Sequence, residues 1–172
     1  PLFMHWADKI GFLVWGESAS AQYFSEKTVD LISQEWKEIV ERDYNHPSII
    51  AWVPFNESWG VNDISRNKQE QHFTQALYHL IHALDTTRLV ISNDGWEHTK
   101  SDIVSVHNYS HGQIEEERKF ARFKKDTDEL EGILASVAAD RGVFAEGFGY
   151  EGQPIMMTEF GGVGFKFGEQ EG

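Results

Sequence analysis

The chain contains no cysteine, which removes disulfides and thiolate metal sites together and leaves the redox compartment undetermined. Cations are scarce, with 15 Lys and Arg against 28 Asp and Glu and a formal net charge of −13. A polyanion is bound by exchanging its counterions for a basic surface, so nucleic acid is disfavoured as a partner, and an anionic membrane surface is disfavoured on the same ground. No apolar run approaches the roughly 18 residues that a membrane span needs. No secretory leader pattern is visible, so localisation stays open, with the cytoplasm weakly favoured. There is no repeat at a solenoid period. The glycines at 142, 147, 149 and 152 lack the strand–loop–helix setting of a phosphate cradle. The chain opens on Pro1 inside a helical pattern, and a fragment of a larger protein is expected.

What is present is a globular composition, 40% hydrophobic and 25% charged, with six Trp among 13% aromatic residues. Strand and helix patterns alternate, which points to α/β architecture with a parallel sheet. A helix over residues 2–9 is followed by a short buried strand, Phe12 to Trp15, running into Gly16-Glu17-Ser18. From Lys27 to Tyr44, Val29, Ile32, Trp36, Ile39 and Val40 recur at helical spacing, and Trp36 reads as core. Residues 66–85 form the clearest amphipathic helix; His72, His79 and His82 fall opposite its apolar stripe, on solvent. No carboxylate shell converges on them, so they do not read as a metal site. Strands are expected at Ser48–Phe55, Arg88–Asn93, Ile103–Tyr109 and Ile155–Glu159. The charge-rich stretch 113–141 reads as one or two surface helices, and 161–172 as a glycine-rich loop.

Two of these strands end alike. The apolar run Ser48 to Phe55 opens into Asn56-Glu57-Ser58-Trp59-Gly60, and Ile155-Met156-Met157-Thr158 opens into Glu159-Phe160-Gly161-Gly162. A carboxylate at the C-terminal edge of a parallel strand is where a barrel does its chemistry, so two of them suggest a catalytic pair.

The Asn45-His46-Pro47-Ser48-Ile49 run, the Asn56-Glu57-Ser58 strand end and the later Met156-Met157-Thr158-Glu159-Phe160-Gly161-Gly162 together resemble the signature pair of glycoside hydrolase family 2. That family includes β-galactosidases, β-glucuronidases and β-mannosidases. The resemblance implies a (β/α)8 TIM-type barrel of which residues 1–172 hold strands 3 to 7, a partial catalytic domain of a larger multidomain glycosidase. Carried over residue by residue, Glu57 becomes the acid/base, Glu159 the nucleophile, Asn56 a ligand of the sugar 2-hydroxyl, and Tyr109 a neighbour of the nucleophile. Trp59, Trp96, Glu17 and His107 are candidate substrate contacts beside them. The implied activity is retaining β-glycoside hydrolysis by double displacement, with no cofactor and no metal. With part of the barrel missing, the five strands are expected as one open sheet whose free edges invite pairing with a second copy. Other readings are a non-catalytic carbohydrate-binding remnant relying on Trp59, Trp96 and Tyr109, a structural or interaction domain, and an endo-β-glycanase of the same barrel clan.

Overall fold

The computed structural model describes residues 2–110 and 117–161. The expected glycine-rich loop from residue 162 onward, and Glu115 and Glu116 of the charge-rich stretch, lie outside the described residues. Elements follow in the order α1 (Leu2–Ile10), β1 (Val14–Glu17), α2 (Glu26–Asp43), β2 (Ile49–Val53), α3 (Lys68–Leu84), β3 (Leu89–Val90), β4 (Val104–Asn108), α4 (Glu117–Thr127), α5 (Leu130–Leu134), β5 (Val137–Ala138), β6 (Arg141–Gly142) and β7 (Ile155–Phe160). No described helix is long and apolar enough to cross a membrane.

Both long helices start on side-chain caps. The Ser25 hydroxyl accepts from Thr28 N, and the Asn67 side chain accepts from Gln69 N. Each satisfies a backbone donor that the first helical turn leaves without a partner. Their apolar stripes pack together on one face of the sheet. There Trp36, Phe73, Leu77 and Ile81 meet Trp52, Phe55 and Val90, with Trp36 edge-on to Trp52 at 6.3 Å between ring centres. The opposite face carries smaller residues, Ala51 and Val53 with Ile91 and Ile103. Burial on both faces is what an apolar strand without polar alternation requires.

Strand order agrees with the sequence reading, but the sheet is not one continuous ladder. β1, β2 and β3 pair in parallel, β4 and β7 pair in parallel, and β5 with β6 makes a separate antiparallel hairpin. The break falls between β3 and β4. Only Leu89 and Val90 of the expected 88–93 strand pair as a ladder. Past them the Asp102 carboxylate occupies the edge, accepting from Val90 N at 2.8 Å, while Asp102 N donates to Val90 O. A side chain has taken a ladder position, and the chain rejoins β4 only at His107 N to Gly95 O.

Three local expectations need correction. The first strand starts at Val14, with Phe12 and Leu13 exposed before it. His82 is not a solvent residue: its Nε2 lies 2.8 Å from Asp102 Oδ2, and its ring packs on Tyr78. The same Asp102 also accepts from the Tyr78 hydroxyl, so α3 is tied to the sheet edge through both side chains. The helical reading of the charge-rich stretch holds through α5 but not to residue 141, where a β-hairpin takes over. Ala139 and Asp140, at φ of 50° and 62°, form the two-residue turn of the β5–β6 hairpin.

Candidate active site

The C-terminal ends of the parallel strands converge on one group of side chains. Glu17 ends β1, Glu57 lies just past β2, Asp94 follows β3, Tyr109 follows β4, and Glu159 sits near the end of β7. The backbone that presents Glu57 is left-handed at two consecutive non-glycine residues, Glu57 (φ 53°) and Ser58 (φ 59°). Such conformations cost on the order of 1–3 kcal/mol each and persist only where the surroundings hold them. Here Glu57 N donates to Asp94 O, Ser58 N donates to Asn93 Oδ1, and the Ser58 hydroxyl donates to Glu97 at 2.6 Å. Arg141, reaching in from the hairpin, closes an ion pair on the same buried Glu97. Neither Glu97 nor Arg141 is singled out by the sequence, since only the fold brings residues 58, 97 and 141 together.

Glu57 and Glu159 face each other across Tyr109. The Tyr109 hydroxyl lies 2.6 Å from Glu57 Oε1 and 2.7 Å from Glu159 Oε2. A hydroxyl has one proton to donate, so both short contacts are satisfied together only when one carboxyl carries a proton of its own. Desolvation and the two carboxylates hold the Tyr109 phenol well above its ordinary range, so it remains a donor. His107, its side chain fully enclosed, places Nδ1 at 2.9 Å from Glu57 Oε1. Ligand-type atoms of Glu57, His107 and Glu159 lie within 4.8 Å of one another. The Tyr109 and His107 contacts account for that closeness without a cation. Glu159 is the most open of the group, its side chain 45% exposed.

Behind this group sits Asp94. Its carboxylate accepts from Thr158 Oγ1 at 2.7 Å and lies 3.5 Å from His107 Nε2. Burial opposes ionisation of Asp94, but His107, Ser105 and Thr158 outweigh it and hold the acid below its ordinary value. Glu17 is pushed the other way, by desolvation and then by the charges of Asp94 and Glu159. Asp94 is a site residue that the sequence reading passed over. Its one local signal is the Asp94-Gly95-Trp96 turn at a strand end.

The candidate residues fall into two sets. Glu57, Glu159, Tyr109 and His107 form the hydrogen-bonded cluster. Glu17, Asn56 and Trp59 instead line a neighbouring cleft of about 330 Å³, with Trp59 half exposed at 54%. The Asn56 Oδ1 is buried without a hydrogen-bond partner among the described residues. Trp96 lies in neither opening. It is 5% exposed and stands edge-on to the His107 ring, so it backs the cluster rather than presenting a face to solvent.

Residues 1–164 match the family described as glycosyl hydrolases family 2, TIM barrel domain. A β-galactosidase of Thermoanaerobacterium thermosulfurigenes is 31% identical over 87 residues, 50% of this chain and 11% of that protein. Among solved structures, an FMN-binding β-glucuronidase of Facaelibacterium prausnitzii L2-6 aligns with a TM-score of 0.55 and 27% identity, covering 74% of this chain and 22% of that one. A β-galacturonidase of Eisenbergiella tayi aligns with a TM-score of 0.64 and 22% identity, covering 99% of this chain and 29% of that one. The chain thus spans less than a third of the length of each of these relatives. With strand-end carboxylates in the expected order, a parallel sheet to carry them and a family match over nearly all its length, this chain belongs to glycosyl hydrolase family 2, as an incomplete part of that family's TIM barrel domain.

Proposed function

We propose that this segment supplies both catalytic carboxylates of a retaining β-glycosidase acting on β-galactoside-, glucuronide- or mannoside-type substrates. The observation that carries the reading is the closeness of Glu57 and Glu159: one carboxylate oxygen of each lies within 4.8 Å of the other, and both carboxylates meet the Tyr109 hydroxyl. Retaining enzymes hold their carboxyl groups about 5–5.5 Å apart, whereas inverting enzymes need roughly 6.5–9.5 Å to admit a water between acid and sugar. Here a tyrosine hydroxyl, not a gap for water, lies between them.

In the first step Glu57 gives a proton to the glycosidic oxygen as the C–O bond breaks, and Glu159 attacks the anomeric carbon to form a glycosyl ester. In the second, Glu57 takes a proton from water, and the resulting hydroxide displaces Glu159. Tyr109, hydrogen-bonded to the nucleophile, orients it and supports its negative charge in the free enzyme. The unpartnered Asn56 Oδ1 beside the acid is placed to meet a sugar hydroxyl, and Trp59 offers a ring face in the adjoining cleft. The β-galactosidase, β-glucuronidase and β-galacturonidase relatives support a sugar substrate of this class.

The test uses the full-length protein. Glu159→Gln lowers kcat by at least about 10⁴-fold, as removal of a nucleophile does. Glu57→Ala loses hydrolysis of poor leaving groups but regains turnover of aryl glycosides in azide, which needs no general base. Retention of activity within tenfold of wild type in either variant rejects the assignment.

A further inference from the structure

His107 is the one member of the cluster to which the two-step reaction assigns no task. Its ring is faced by titratable groups from every element packed on it. These are Glu57 after β2, Asp94 after β3, Glu159 on β7 and Tyr109 just past the strand that carries His107, with His98 and Glu17 acting at longer range. Nδ1 meets Glu57 Oε1 at 2.9 Å, while Nε2 has no hydrogen bond among the described residues and looks onto Asp94 at 3.5 Å and Glu159 at 3.7 Å. A neutral imidazole has a single N–H. One tautomer turns a lone pair toward Asp94 and Glu159, and the other turns it toward Glu57. The conflict disappears if one more proton is present, either on the ring or on Glu57, which then donates to Nδ1. Close approach of the ring is built in: a Cβ on Gly95 would lie 2.5 Å from His107 Nδ1.

We propose that His107 is a positioning residue whose imidazole shares with Glu57 the proton of the acid/base, so that the pair, not the carboxyl alone, sets the alkaline limit of hydrolysis. When Glu57 protonates the departing oxygen, its new carboxylate keeps the His107 ring as hydrogen-bond partner; when Glu57 takes a proton from water, the count is restored. Burial disfavours the charged ring, but Asp94 and Glu57 together raise the His107 pKa above its ordinary value, in keeping with a retained proton. The inference rests on Glu57 being the acid/base.

The experiment is the pH dependence of kcat/KM for an aryl β-glycoside with the full-length wild type and His107→Asn. Asparagine keeps a donor for Glu57 but stores no proton. The expected result is a fall in kcat of roughly 10–10³-fold, with the alkaline limb displaced to lower pH by at least about one unit. A uniform loss with the limb unmoved overturns the proposal and leaves His107 as packing. If the variant does not fold, NMR titration of the His107 imidazole in wild type and Glu57→Gln decides. The expected outcome is a lower apparent pKa without the carboxylate, and an unchanged value overturns the proposal. Azide rescue of Glu57→Ala separates the two readings, because rescue with an unmoved limb rejects only the role of His107.

Discussion

At the scale of single residues, the cluster depends on a side chain that is absent. Gly95 has φ of 101°, and any Cβ there would meet the His107 ring at 2.5 Å from Nδ1. The ring cannot retreat easily, since Trp96 stands against it at 5.5 Å. Gly95→Ala is expected to cost roughly 1–3 kcal/mol in stability, as strained positive-φ substitutions do. It should also lower kcat more than thermal stability alone explains, because it displaces the hydrogen-bond partner of Glu57; parallel melting and steady-state kinetics check this. Residues 57 and 159 were legible in the sequence because each follows an apolar run and precedes glycine or a turn. Tyr109 was legible only through the family resemblance. Asp94, Glu97 and Arg141 were not, because their roles come from partners on other elements, at positions 107 and 158 for Asp94 and 58 for the Glu97–Arg141 pair. No local pattern records such a pairing.

At the scale of elements, the Asn-His-Pro-Ser run that carried the resemblance serves construction at the edge opposite the site. Asp8 on α1 accepts from Ser48 N and Oγ and lies 2.6 Å from His46 Nδ1, fastening α1 to the start of β2. These bonds, the His46 contact foremost, hold the Asp8 pKa down at about 2. A carboxylate depressed in the folded state adds stability above its unfolded pKa of about 3.9 and loses it as pH falls through the folded value. The melting temperature of wild type should therefore exceed that of Asp8→Asn at pH 5, with the gap closing between about pH 4 and 2. A gap independent of pH would show that the anchor acts without its charge. Helices α2 and α3 were readable to within a residue or two at their ends, since periodicity and caps coincide there. The β5–β6 hairpin was not, because Ala139-Asp140 is a weak turn signal beside Asn-Gly or Asp-Gly. The short β3 was over-read because an apolar run does not reveal that a side chain, Asp102, will take over the edge.

At the scale of the whole molecule, the strands run in the sequential order of a barrel and stop short of closing it. β1 and β7 each pair on one side only within the described residues. Even so, the two groups of strands bring Glu57 and Glu159 together through Tyr109, so the contact between the two proposed catalytic carboxylates is made by the part of the barrel present here. The most direct test of double displacement is to treat the full-length enzyme with an activated 2-deoxy-2-fluoro-β-glycoside and map the labelled peptide by mass spectrometry. The account predicts one glycosyl group esterified to Glu159, absent from Glu159→Gln. An adduct on Glu57, or turnover that releases the inverted anomer without any adduct, would contradict it.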